Sequence, residues 1–227
     1  MSFKKIIIGL LLSLLLGSGL AVAADFNKGV EAYNSGDFKT ALAEWKPLAA
    51  QGNAVIQYNL GVMYENGEGV PENDKTAVKW YTLAAEQGYA KAQYNLGVMY
   101  DKGYGVPEND KTAVKWYTLA AKQGHASAQF NLGNKYNNGE GVPENDKTAV
   151  KWFTLAAEQG HAKAQTNLGL MYDNGSGVLT DTKRAYMWWN LANYNGNKIA
   201  GENKDIIAKD MTPADISKAQ DMSSRCL

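Results

Sequence analysis

Only one cysteine, Cys226, occurs in the 227 residues, and it stands next to the carboxyl end, so no internal disulfide can brace the fold. Histidine occurs twice, at His125 and His161, with no carboxylate motif of metal-ligand spacing beside either, so no metal site is expected. Both histidines occupy a position held elsewhere by Asn53 and Tyr89, which points to a polar helix start. Five prolines are too few for a disordered chain. An excess of either charge is also missing. The 23 basic and 23 acidic side chains balance, so no overall field draws the chain to nucleic acid or to an anionic membrane. The nucleophile patterns S-x-x-K and G-x-S-x-G are absent beyond residue 24, and Cys226 has no base near it in sequence. Catalytic residues and cofactors are therefore expected to be none.

Long apolar runs are confined to one place. Lys4 and Lys5 precede the run Ile6–Leu16, and Ala21-Val22-Ala23-Ala24 closes it with small residues. This is the pattern of a signal peptide over 1–24, cleaved near Ala23 or Ala24. No cysteine follows the cleavage site, so no lipid anchor is indicated, and no stable membrane span is expected after cleavage. The mature chain is expected to be a monomer held by helix packing alone. Cys226 is either a free thiol on a frayed tail or an intermolecular disulfide to another chain.

What is abundant is glycine, with 23 copies, and its spacing is regular. Asn-Leu-Gly recurs at Asn59, Asn95, Asn131 and Asn167, 36 residues apart each time. Between these, VPENDKTAVKW stands unchanged at Val70–Trp80, Val106–Trp116 and Val142–Trp152, with a degraded copy at Val178–Trp189. Each unit reads as two helices. Helix A starts near Asn53, Tyr89, His125 or His161 and runs to Tyr64, Tyr100, Tyr136 or Tyr172. A Gly-x-Gly stretch such as Gly67-Glu68-Gly69 stops it, and Pro71 and its copies hold the next residues out of helical geometry. Helix B begins at an Asn73 or Asp74 cap and carries Ala77, Tyr81 and Ala84 on one stripe, with Trp80 and Leu83 beside it. Gly61 and its copies lie inside helix A, which predicts close helix–helix approach there. Phe26–Tyr33 and Phe38–Ala50 predict an abbreviated first pair, with Pro47 bending the second helix. Lys198–Lys209 and Pro213–Arg225 predict two closing helices, the last capped by Thr212 with Pro213 at its first position. The expected organisation is a signal peptide at 1–24, an abbreviated pair at 25–52, repeats at 53–88, 89–124, 125–160 and 161–196, and a helical cap at 197–227.

The stretch GVMYENGEGVPENDKTAVKWYTLAAEQGYAKAQYNL resembles a Sel1-like repeat (SLR), a relative of the tetratricopeptide repeat with a longer inter-helix loop. The resemblance covers roughly Asp25 to Gly196. It implies an all-α, right-handed superhelical solenoid of antiparallel helix pairs with a concave groove. It also implies a scaffold that mediates protein–protein or protein–peptide interaction in the envelope of a Gram-negative bacterium. The expected location is the periplasm or outside the cell, and the expected partner is an envelope protein or peptide. The alternative is a penicillin-binding or weak β-lactamase-like hydrolase, as described for cysteine-rich relatives. This chain departs from those relatives in having no cysteine pair in any repeat.

Comparing the repeats with one another isolates a candidate partner-binding surface. Along helix A the copies differ at Val55, Lys91, Ser127 and Lys163, and at Tyr58, Tyr94, Phe130 and Thr166. They differ again at Val62, Val98, Asn134 and Leu170, and at Glu65, Asp101, Asn137 and Asp173. Offsets of three, seven and ten residues fall on one stripe about 80° wide at 3.6 residues per turn. Leu60, Gly61 and Tyr64, which stay the same, point elsewhere. The stripe is expected to line the groove, with Tyr58, Tyr94 and Phe130 as an aromatic ladder within a polar rim.

Overall fold

The computed structural model describes residues 24–225, so residues 1–23, nearly all of the expected signal peptide, and Cys226 lie outside the described residues. The described chain is a run of antiparallel helix pairs: α1 (Phe26–Asn34) with α2 (Phe38–Ala50), α3 (Ala54–Asn66) with α4 (Asp74–Glu86), and α5 (Ala90–Lys102) with α6 (Asp110–Lys122). Then come α7 (Ala126–Asn138) with α8 (Asp146–Glu158) and α9 (Ala162–Asn174) with α10 (Thr182–Tyr194). Helices α11 (Lys198–Ile207) and α12 (Pro213–Ser224) close the array, joined by a short 3₁₀ turn at Ala208–Asp210. Each odd-numbered helix from α3 to α9 is a helix A, and its even-numbered partner is a helix B. From α1 to α11 every helix packs on its sequence neighbours, and α12 folds back on α10. This is the solenoid the repeats predict.

Helix boundaries follow from local chemistry. Asn73, Asn109 and Asn145 cap the B helices, each accepting from the backbone N–H three residues on. His125 and His161 cap α7 and α9 through Nδ1, the polar helix start expected of them. Each helix A runs two residues past the expected tyrosine, because the left-handed residue that stops it is the first glycine of Gly-x-Gly; Gly67 has φ 70°. Helix α2 continues through Pro47, and α11 stops at Ile207, two residues short of Lys209, where the chain tightens to 3₁₀. Thr212 caps α12 with Pro213 at its start, as expected.

Packing within a pair is set by a glycine facing an aromatic ring. An added Cβ at Gly61, Gly97 or Gly133 would sit 2.4–2.6 Å from the ring of Tyr81, Tyr117 or Phe153. Those rings are fully buried, so a side chain there would force the helices apart. Packing between pairs is set by a buried amide relay. Gln129 of α7 donates to the Ala121 carbonyl at the end of α6 (3.1 Å) and accepts from Gln159 at the end of α8 (2.7 Å). Gln57, Gln93 and Gln165 make the same two contacts at the other junctions, Asn195 donating in place of glutamine at the last. Each junction thus adds a side-chain donor to a last-turn helix carbonyl that already accepts the backbone N–H of the following glycine, such as Gly124 on Ala121 at 3.0 Å, and so ties three helices through one amide.

The A-helix face as candidate binding surface

The four sets of divergent positions come together on one surface formed by successive A helices. A cavity of about 460 Å³ lies between α5 and α7, lined by Tyr94, Val98, Asp101, Asn131, Asn134 and Lys135 among others. A second, of about 340 Å³, is walled by Tyr94, Ser127, Phe130, Asn131, His161 and Lys163. A third, of about 300 Å³, joins Val30, Tyr33 and Trp45 to Tyr58, Asn59 and Val62. The first two cavities share Tyr94 and Asn131, and the second reaches Lys163, so the face runs unbroken from repeat two to the start of repeat four. Tyr58, Val62, Glu65, Tyr94, Asp101, Phe130 and Asn134 are half-buried on it, whereas Lys91, Asn137, Lys163, Leu170 and Asp173 are exposed.

The aromatic ladder is built into the wall. Tyr94 stacks on His125 with ring centroids 4.6 Å apart, and Phe130 stacks on His161 at 4.7 Å. Tyr58 meets Tyr89 edge-on at 5.3 Å. Each ring therefore rests on the cap residue of the next helix A, and one side of it is covered. Burial holds both imidazoles below their ordinary pKa, Lys91 adding to the effect at His125.

Two residues the sequence reading missed extend the surface. Ile199 and Ile206 of α11 are 65% and 61% exposed and stand 36 residues after Lys163 and Leu170. The repeat register was the signal for them. With Leu170, 48% exposed, they give the carboxyl end of the face an apolar floor.

Charge is distributed across the face against the preference of the helices themselves. Lys91 and Lys163 are the second residues of α5 and α9, at the positive end of the macrodipole, where a cation costs about 0.3–1 kcal/mol. Glu65, Asp101 and Asp173 lie in the last turns of α3, α5 and α9, at the negative end. Neither Lys91, Lys163 nor Asp173 takes part in an ion pair among the described residues. The B helices do the opposite, with Asp74, Asp110 and Asp146 in their first turns.

Repeat three carries a further departure. Lys135 replaces the buried methionine found at Met63, Met99 and Met171, and it is only 6% exposed. Its ammonium pairs with Asp101 of α5, with Asp110 at the start of α6 (2.7 Å) and with Glu140 after α7 (2.7 Å). Asp101, Asp110 and Glu140 each place an oxygen within 4.8 Å of the others, a cation seat that the lysine fills. Burial opposes charge on both Lys135 and Asp101. Pairing outweighs it, so the lysine is held above and the aspartate below its ordinary pKa. The buried hydroxyl of Tyr117 has no hydrogen-bond partner among the described residues, whereas Tyr81 donates to Glu65 in the repeat before. At the Tyr117 position repeat three carries Phe153, with no hydroxyl to satisfy.

No helix among the described residues is long and apolar enough to cross a membrane. Four segments, 55–89, 90–125, 126–161 and 162–197, match the family model for the Sel1 repeat. The crystal structure of a Sel1 repeat protein from Oxalobacter formigenes is 39% identical, covers 78% of this chain and 72% of that one, and superposes with a TM-score of 0.74. A protective antigen of uropathogenic Escherichia coli displaying an SLR fold is 30% identical, covering 88% of this chain and 56% of its own, with a TM-score of 0.52. No curated protein matches the chain.

Proposed function

This chain belongs to the Sel1 repeat family, and from that premise we propose that it is an exported scaffold that binds an envelope protein or peptide through its A-helix face. A repeat array presents one long surface assembled from equivalent positions, which suits recognition of another chain better than enclosure of a small substrate. One observation carries the reading. While the B helices α4, α6 and α8 remain nearly identical, the half-buried and exposed A-helix positions have diverged together on one face lined by cavities. Aromatic rings fixed in the wall, an apolar floor and charged edges are the ingredients of a protein-binding surface. The leader pattern over 1–24 supports export to the envelope of a Gram-negative cell.

The test is a crosslinked pull-down from the native cell envelope, with the protein processed by its own cell. The control carries Leu170→Glu and Ile206→Glu, both at exposed positions, and is checked first for unchanged helicity and thermal midpoint. Loss of a specific partner by the control supports the A-helix face. Recovery of the same proteins by both forms sinks that assignment and moves attention to α12 and the carboxyl end.

A further inference from the structure

The charged edges of the A-helix face limit what kind of chain can lie on it. Lys91 and Lys163 stand along the amino-terminal edge of the A helices, exposed and unpaired among the described residues. Glu65, Asp101 and Asp173 stand along the carboxyl-terminal edge, where Glu68 and Glu140 in the following loops add to them. The cations at that second edge include Lys102, paired with Asp101 at 3.0 Å, the buried Lys135 and Lys209 beyond α11, with Lys75 and Lys147 at the starts of the neighbouring B helices. Since the A helices are parallel to one another, their dipoles reinforce the same polarity, positive along the lysine edge and negative along the acidic edge. Ten residues separate Lys91 from Asp101 and Lys163 from Asp173, so the two edges are about 15 Å apart. Between them run Tyr58, Val62, Tyr94, Val98, Phe130 and Leu170.

We propose that this face receives an amphipathic helix of the partner, laid across the A helices, with an acidic flank on the Lys91–Lys163 edge and a basic flank on the acidic edge. This rests on the A-helix binding reading and adds the chemistry and shape of the occupant. A helix with its side chains is about 10–12 Å wide and fills the space between the edges, whereas a single extended strand reaches only one of them. Four A helices packed through their B helices span about 30 Å, the length of about twenty helical residues. Turning such a helix end for end exchanges its flanks. The polarity of the face therefore fixes the direction in which the helix lies.

The experiment uses the full protein as its cell processes it and synthetic helical peptides of about twenty residues with one leucine–alanine stripe. One peptide carries glutamate on one flank and lysine on the other; two controls carry a single charge type on both flanks; a fourth has the mixed composition broken by central prolines. The mixed-flank helix is expected to bind about fivefold more tightly than either single-charge helix at low salt, from a few exposed charge pairs. The advantage should vanish near 1 M salt, where screening acts within about 3 Å. Lys91→Glu with Lys163→Glu should remove it and favour the all-lysine peptide. A photo-crosslinker at the peptide amino end should mark one end of the array, and exchanging the flanks should move the mark to the other end. Equal binding of all three helices, no binding, or equal binding of the proline-broken peptide overturns the proposal. If the envelope pull-down still loses its partner with Leu170→Glu and Ile206→Glu, that failure belongs to the helix proposal and leaves the binding face standing.

Discussion

Replacing Lys135 by methionine tests whether the buried ammonium holds repeats two and three together. Methionine is the residue of the other three copies, so the change keeps packing and removes only the charge. Taking one partner from a fully buried pair costs about 3–5 kcal/mol, because the other charge is left desolvated. Here two of the three carboxylates escape that fate: the side chains of Asp110 and Glu140 are 36% and 44% exposed and return to water. Asp101, with 10% of its side chain exposed, does not, and keeps only Lys102. The expected loss is about 1–3 kcal/mol at pH 7, a fall of roughly 3–10 °C in the midpoint of a domain this size. Lys135→Met combined with Asp101→Asn should recover most of it, since asparagine already serves at the equivalent Asn137 and no orphan charge remains. The folded-state pKa of Asp101 is depressed, so the contribution of the pair is present above the unfolded carboxylate pKa of about 3.9 and is lost as pH falls through the folded value. Thermal unfolding followed by circular dichroism from pH 7 to pH 3 should show the gap between parent and single variant closing at the acid end. A single variant as stable as the parent at pH 7, or a double variant no better than the single, would refute the reasoning.

Tyr117→Phe removes a hydroxyl with no partner and should be neutral or stabilising, whereas Tyr81→Phe strands Glu65 and should cost about 1 kcal/mol, both read by chemical denaturation. Gln129→Leu removes two hydrogen bonds but leaves the Ala121 carbonyl its Gly124 N–H and the Gln159 amide its Leu155 carbonyl, so it should cost about 1–2 kcal/mol, with amide exchange rising first at the ends of α6 and α8. His125 and His161 accept cap N–H groups through Nδ1, which only the unprotonated atom can do, and burial lowers their pKa. Stability should therefore decline as pH falls from about 6.5 through the folded pKa values, and His125→Asn with His161→Asn, copying the Asn53 cap, should flatten that slope in the melting midpoint.

Repeats make a sequence annotate itself, which is why helix boundaries, caps and the glycine–ring contacts were legible. A glycine held at four copies of one helical position has few explanations besides close approach, and Tyr81, Tyr117, Phe153 and Trp189 supply the rings. Lys135 could not be read the same way. In the string NKYNN it looks like any surface lysine, and its burial depends on Asp101 and Asp110, which lie 34 and 25 residues upstream. The aromatic ladder was visible as a period, but its stacking on His125 and His161 was not, because a cap residue's side chain is assigned no direction by spacing. Ile199 and Ile206 were legible by register and were obscured because α11 has lost the Asn-Leu-Gly string that marks the other A helices.

The glutamine relay has a consequence for how such a chain can change. Each seam is made from like parts: a glutamine of helix A, the penultimate carbonyl of the helix before it, and a terminal amide of the helix after it. Cutting out residues 89–124 would bring the Ala85 carbonyl against Gln129 in place of that of Ala121, with Gln159 still donating to Gln129, and rebuild the seam from like parts. Lys135 would then meet Glu65 and Asp74 in place of Asp101 and Asp110, carboxylates for carboxylates. Unequal recombination in steps of 36 codons can thus lengthen or shorten the protein without a misfit, making the reach of the surface a quantity that genetics can adjust one unit at a time.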